Sequence, residues 1–469
     1  MMVTTSRGAH RPGPIRSLLT VLAICLACGT GPNPLAANPL ASPTANRADA
    51  LFSELQTIQP FSGAVMFGDH GVVRYARAFG MADREAGARM TIDTPIDGAS
   101  LAKPVTAAAI LLLAHEGAID LDAPVTRYLA TYPDPRATVR HLLAHSAGLP
   151  DYGRFQTLLD AGAPVATSDL LASLGAEWRA NSPPGSRYAY CSLCYDVLGL
   201  IIEQVSGLSF ETFIAGRLLR PTGAARAFVR PARFSDWAGV RTRGYRPAGQ
   251  GWLPHDAFDN EGFHGGSNIY FATRDLFAWA SAWAGGSPPL DRLRRPATAR
   301  AETGDGLSGL TLGNWICADG RTRCFYTGQH QGFHNFAYWN SETRVAVVFI
   351  SNSTLSAHLQ PRLARALVAI AEGEQIDRPF APAPPGAAAP IAGRYMFPEL
   401  GVVTIDTEGG QASARLAGGA RTPLLPADDG IFFAPGLHAY LSFPIAAAGE
   451  AQPIEWISPL RSESGRRID

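Results

Sequence analysis

Ser100-Leu101-Ala102-Lys103 stands at the head of Pro104-Val105-Thr106-Ala107-Ala108-Ala109-Ile110-Leu111-Leu112-Leu113-Ala114-His115-Glu116-Gly117. The apolar run closed by glycine reads as a buried helix, because proline is tolerated in a first turn and glycine supplies a left-handed cap. A serine hydroxyl is a weak nucleophile at neutral pH, and a lysine three residues on, one helical turn away, brings a base within reach. At a helix N-terminus the free N–H groups and the positive end of the dipole can stabilise a developing oxyanion. The same four residues also suit a capping serine beside a solvated lysine, so the surroundings decide.

Upstream, Ser62 to Gly68 and Val72 to Ala76 are strand-like runs around the turn signal Asp69-His70-Gly71, a β-hairpin pattern. Downstream, helical patterns dominate to about Ser206. A second strand-rich block follows from about Ser308 to Ser351 and includes Val345-Ala346-Val347-Val348-Phe349-Ile350, and a closing helix runs from about Leu355 to Glu372. Strands at both ends with helices between predict an α+β fold, one antiparallel sheet built from both termini and covered by helices, with a helical subdomain. Residues 376–390, with Pro379 to Pro390 rich in Pro and Ala, read as a linker; residues 391–469, short alternating runs broken by Gly-Gly and Asp-Gly pairs, read as a small all-β barrel.

The 469 residues suggest two domains, and an apolar fraction of 46% indicates a globular chain. Lys+Arg and Asp+Glu both number 40, and no basic run is interleaved with aromatics, so no nucleic-acid partner is expected. Arg7, Arg11 and Arg16 precede the short apolar run Ser17 to Ala27, the charge asymmetry of a secretory signal over residues 1–28. Cys25-Leu26-Ala27-Cys28-Gly29 resembles a bacterial lipobox with cysteine in the usual leucine place. The expectation is an exported bacterial protein, periplasmic or membrane-anchored through lipidated Cys28, with residues 29–47 as a flexible tether before a domain spanning 48–375.

Two of the six cysteines lie in the signal. In an exported protein the other four favour disulfides. Cys317 and Cys324 bracket the turn signal Asp319-Gly320, so a cross-strand bridge is expected. Cys191 and Cys194 form a C-x-x-C; in a helical turn their Cα atoms would lie about 5 Å apart, within disulfide range. A redox-active pair is the alternative, although no thioredoxin-like pattern surrounds it.

Two further clusters carry chemistry. Tyr190, just before the apolar helix Asp196 to Val205, can present its phenol to a neighbouring site as a proton shuttle, or simply pack at a loop–helix junction. Gly328-Gln329-His330-Gln331-Gly332-Phe333 leads into a strand. There a glycine allows close approach of a ligand backbone, the Phe333 N–H can serve an oxyanion hole, and His330 can contact substrate or be structural.

With these clusters in order, the chain resembles the serine β-lactamase and penicillin-binding-protein superfamily, especially the class C-like branch with its esterases and D-peptidases. Asp93-Thr94-Pro95, Glu116 to Val125, His141-Leu142-Leu143-Ala144-His145-Ser146-Ala147-Gly148-Leu149-Pro150, Gly265-Gly266 and Ala272 to Leu276 look like family blocks. The resemblance implies Ser100 as acylated nucleophile, Lys103 as its base, Tyr190 as second base and acid, and an oxyanion hole from the N–H groups of Ser100 and Phe333. It implies no metal or other cofactor, His141 and His145 being explained by a family block. It places His330 where the third motif commonly has lysine, with Gly332 as that motif's glycine. Ser192 stands where Tyr-x-Asn would have asparagine. Both departures favour an ester, amide or D-amino-acid peptide over a β-lactam. A true β-lactamase or DD-carboxypeptidase, and a non-catalytic binding or sensor protein, are the alternatives. The C-terminal segment, opening Ile391-Ala392-Gly393-Arg394-Tyr395, resembles the lipocalin-like barrels appended to some members.

Overall fold

The run Val345 to Ile350 alternates nothing in polarity, and the fold explains why: both of its faces are covered. The computed structural model describes residues 42–469 apart from 151, 176–177, 187, 240, 249–250, 287–289, 295–314, 319–321, 357–358, 377–379, 381–390, 399, 409–410, 418–420, 429–430, 435–438, 444–453 and 459–461. The expected signal, Cys28, nearly all of the expected tether, the expected turn at Asp319-Gly320 and most of the expected 376–390 linker therefore lie outside the described residues.

A six-stranded antiparallel sheet forms the centre. Its strands are β1 (Gly63–Asp69), β2 (Val72–Phe79), β6 (Ile316–Ala318), β7 (Arg323–His330), β8 (Phe333–Asn340) and β9 (Val345–Ser351), in the order β6-β7-β8-β9-β1-β2. A small three-stranded sheet of β3 (Ile96–Asp97), β4 (Phe228–Val229) and β5 (Ile269–Phe271) stands beside it, with β5 in the middle. Val347 and Phe349 of β9 face one apolar core, and Ala346, Val348 and Ile350 face the other. Period-two alternation thus buries a strand on both faces without any polar position.

One face packs against α1 (Pro43–Ile58) and α5 (Leu359–Glu372). Helix α1 starts inside the segment expected to be tether, because Ser42 accepts the Ala45 N–H at 3.1 Å, Pro43 suits the first turn, and Ala48, Phe52 and Leu55 bury against the sheet. The other face carries α2 (Ala102–His115), α3 (Ser192–Ser206) and α4 (Thr273–Gly285). In α2 every residue from Ala102 to Leu113 is buried, which accounts for its unbroken apolar sequence; each buried leucine there contributes roughly 1.5–3 kcal/mol.

From residue 393 on, eight strands close into a barrel, β10 (Gly393–Phe397), β11 (Gly401–Glu408), β12 (Gln411–Leu416), β13 (Thr422–Asp428), β14 (Ile431–Ala434), β15 (Ala439–Ser442), β16 (Ile454–Ile457) and β17 (Ser462–Arg467). Tyr395 pairs with Arg467 to complete the ring. Phe397, Val403, Ile405, Leu441 and Trp456 fill its interior, so it is a packed barrel.

Candidate active site

Asp97 ends β3 fully buried, and its Oδ1 accepts the N–H of Ala99 at 2.8 Å. That bond holds Ala99 at a φ of 49°, a left-handed conformation unusual for a residue with a side chain and of the kind that gathers at functional sites. The chain then makes a 3₁₀ turn, Ala99–Leu101, before α2 begins at Ala102. Ser100 therefore does not cap the helix. Its hydroxyl is left for two other groups.

Lys103 Nζ donates to Ser100 Oγ at 3.0 Å and to the Gly266 carbonyl at 2.7 Å, with the lysine wholly buried. Gly266 is fixed in turn: its N–H donates to Asp196 Oδ1 at 2.8 Å, and Thr106 Oγ1 donates to the Gly265 carbonyl at 2.7 Å. A Cβ on Gly266 would come within 2.6 Å of the Ser192 carbonyl, so glycine is required where this loop presses on α3. Burial pushes the Asp196 carboxyl up to about 6, against the opposing pull of Tyr152 Oη, the Gly266 N–H and the Lys103 charge.

Tyr190 Oη donates to Ser100 Oγ at 2.8 Å. Its ring stacks on His145 at 4.7 Å between centroids, and Lys103 Nζ lies 5.0 Å from the ring's centre. His145 Nδ1 accepts the Cys191 N–H at 3.1 Å, which ties the histidine to the residue after the tyrosine. Cys191 and Cys194 are joined as a disulfide with Cα atoms 5.3 Å apart, and the Cys191 sulfur caps α3 by accepting the Cys194 N–H at 2.9 Å. Ser192 is the first residue of α3 and buried; among the described residues its hydroxyl bonds to none of Ser100, Lys103 and Tyr190.

Cys317 and Cys324 face each other across β6 and β7, bridged with Cα atoms 4.1 Å apart. That close spacing marks a non-hydrogen-bonded pair, so the N–H of Phe325 faces β6 and, with period two, the N–H groups of Thr327 and Gln329 point to the same edge. Beyond β6 this edge is occupied by the Ser100 turn. A Cβ on Gly328 would collide with the Gly98 carbonyl and lie 3.3 Å from the Ser100 N–H nitrogen. The strand segment beside Ser100 is thus Gly328-Gln329, and the Gln329 N–H is the main-chain donor that shares the place with that of Ser100.

This register corrects the expectation for Gly332 and Phe333. Gly332 lies in the two-residue turn between β7 and β8, where its N–H donates to the His255 carbonyl at 2.7 Å. Phe333 begins β8 and pairs with His330, its side chain wholly buried. If Gly328 is the motif glycine, the position two residues earlier is Tyr326, not His330. Tyr326 is buried beside Tyr190, Tyr188 and Tyr195, and burial holds its phenol well above the usual range.

His330 lies two residues beyond Gly328, on the same face of β7. Its Nδ1 is 2.9 Å from Asp97 Oδ2 and its Nε2 3.4 Å from Glu261 Oε1. Burial disfavours the imidazolium, but the charges of Glu261 and Asp97 outweigh it and raise the pKa to about 10. The imidazolium is committed to these two carboxylates. A group held protonated in this way contributes stability that is complete below the ordinary histidine pKa of about 6.5 and is lost as pH rises through about 10. Urea midpoints of the wild type are therefore expected to fall between pH 7 and 10, by no more than about 1.4 kcal/mol per pH unit from this group, and the His330→Gln variant is expected to flatten that slope. Parallel slopes would show that the imidazole titrates near its ordinary value.

Sequence reasoning missed Asp97, Glu261 and Tyr326; it placed Gly266 in a family block and Gly328-Gln329 in the third cluster, without the contacts the fold gives them.

The family model described as Beta-lactamase matches residues 48–372. Penicillin-binding protein 4* of Bacillus subtilis (strain 168) is 24% identical over 432 residues, covering 84% of this chain and 92% of its own length. Esterase EstB of Burkholderia gladioli is 34% identical over 200 residues, 39% of this chain and 51% of the esterase. A D-aminopeptidase of Cereibacter sphaeroides is 27% identical over 358 residues, 71% of this chain and 63% of that protein. Among solved structures, the octameric penicillin-binding protein homologue from Pyrococcus abyssi superposes with a TM-score of 0.59 at 21% identity over 90% of this chain and 99% of its own, a likeness of fold. The chain belongs to the β-lactamase family and is a serine hydrolase of that family.

Proposed function

We propose that this protein hydrolyses an ester, an amide or a D-amino-acid peptide through an acyl-enzyme on Ser100. The observation that carries the reading is the Ser100 hydroxyl held at 3.0 Å by Lys103 Nζ and at 2.8 Å by Tyr190 Oη, at the start of a buried helix. Lys103 Nζ takes the hydroxyl proton while Oγ attacks the substrate carbonyl carbon. The oxyanion that forms rests between the N–H groups of Ser100 and Gln329. Collapse breaks the bond to the leaving alkoxide or amine, which Tyr190 protonates. Water then attacks the acyl ester by the reverse proton path, releasing the acid and restoring the serine.

Two observations support the substrate class. His330 spends its charge on Asp97 and Glu261, and a neutral tyrosine, Tyr326, occupies the strand position two before Gly328. Neither offers the free cation that grips the carboxylate of a β-lactam or peptide C-terminus. The relatives named esterase and D-aminopeptidase agree with this.

The test is intact mass before and after a fluorophosphonate probe, on wild type and Ser100→Ala, with turnover of a nitrophenyl ester and a D-alanyl anilide in parallel. One adduct with turnover in the wild type, both lost in the variant, is expected. A folded wild type with neither overturns the hydrolase reading of this site.

A further inference from the structure

We infer that the C-terminal barrel takes part in acyl transfer by fixing the strand that supplies the oxyanion donor, and that Tyr440 is its positioning residue. The inference rests on the proposed acyl-enzyme function. In β15, Ala439 and Leu441 point into the barrel core, so Tyr440 between them points outward. An outward tyrosine on a free barrel would be open to water, yet Tyr440 is only 6% exposed. What covers it is the catalytic body: Gln329 Nε2 donates to Tyr440 Oη at 2.9 Å. Glu455 on β16 likewise points outward between Ile454 and Trp456 and meets Arg362 of α5 at 2.6 Å.

Gln329 is the residue whose main-chain N–H faces Ser100. Its side chain projects to the opposite face of the sheet from Gly328, where it also donates to the Gln360 side-chain oxygen of α5. From there the bonding continues. Gln360 Nε2 donates to the Asn335 carbonyl at 3.0 Å, and Asn335 Nδ2 donates to the Asp97 carbonyl at 2.8 Å. Asp97 in turn holds Ala99, the residue before Ser100. An unbroken series of hydrogen bonds thus runs from the outside of the barrel, through the donor strand, to the turn that aims the nucleophile. Among the described residues β7 has no strand partner beyond Phe325 on this edge, so its last five residues, which include the donor, have one described ladder where a central strand has two. The Tyr440 hydroxyl anchors that singly paired stretch through the Gln329 side chain, on the α5 face of the sheet.

Tyr440→Phe removes one oxygen and keeps the ring that packs at the interface. Because a misaimed oxyanion donor weakens interactions made in the transition state, the acylation rate constant per probe-titratable Ser100 is expected to fall about tenfold, with KM within about twofold of wild type. Gln329→Met, which keeps the main chain and the side-chain length, is expected to lose a similar factor, and the double variant no more than the larger single loss. Glu455→Gln weakens the barrel's ion pair but leaves Tyr440 on Gln329, and its acylation rate is expected to stay within about twofold. Wild-type acylation per titrated site in Tyr440→Phe, or losses that multiply in the double variant, would overturn the inference. Should Tyr440→Phe not fold, Gln329→Met against Glu455→Gln carries the same comparison, and equal rates in those two sink it. A wild type that takes no probe fails the acyl-enzyme reading instead.

Discussion

Lys103→Met is expected to lower kcat on a nitrophenyl ester by about 10³-fold or more and to slow probe labelling of Ser100 by a similar factor. Methionine keeps the length of the lysine stem in a fully buried position, so the packing of α2 against α3 is conserved. What is lost is Nζ, the donor that joins Ser100 Oγ to the Gly266 carbonyl. The carbonyl is left without that partner, a cost of about 1–3 kcal/mol, set against relief from burying an amine. Thermal unfolding should therefore move little while chemistry nearly stops. Single-turnover acylation checks it. A loss smaller than about tenfold would transfer the base role to Tyr190, which reaches the same oxygen from the other side.

Gly328→Ala is expected to lower acylation at least about 10²-fold while Ser100, Lys103 and Tyr190 all remain present. The added methyl has no free direction: the Gly98 carbonyl lies inside its contact distance, and the Ser100 and Leu101 nitrogens lie 3.3 Å away. Every obstacle is backbone, so β7 or the Ser100 turn must shift, and either shift opens the oxyanion site. Gly332→Ala is the informative comparison. It also meets backbone, at Tyr245 and Gly244, but in the hairpin turn away from Ser100. Both variants should unfold at lower temperature, and only Gly328→Ala should lose its acylation rate per folded molecule. If Gly332→Ala loses the rate and Gly328→Ala keeps it, the donor belongs to the β7–β8 turn after all.

The contrast between those two glycines shows where the sequence stops being readable. Helix α2, the hairpin of β1 and β2, the run of β9 and the cross-strand cysteine pair were legible because each is a local pattern, a periodicity or a turn flanked by strands. Ser100, Lys103 and Tyr190 were legible as residue types at meaningful spacing, and the fold brings them within hydrogen-bond distance. The choice between Gly328 and Gly332 depends on strand register, and both offer the same local spacing. The partners of His330 come from β3 and from a loop near β5, distant in sequence, so nothing around His330 announces its charge. Gly266 contributes a carbonyl, which every residue has, and Gln329 an N–H. Main-chain groups leave no mark in composition; only the requirement for glycine beside them does.

The pairing of β1 with β9 joins Gly63 to Ser351, so the sheet that frames Ser100 is assembled from opposite ends of the catalytic domain. A ribosome releases Ser100, Lys103 and Tyr190 long before it releases β7, β8 and β9. Until those strands arrive β1 has only β2 beside it, Gly328 is not against Gly98, and the oxyanion donor is missing. Pairing over such separations is also the slow kind, since loop closure must come first. The chain order therefore works as a timer: the growing polypeptide carries its nucleophile in an unarmed form, and hydrolytic capacity arrives with the last strand of the sheet.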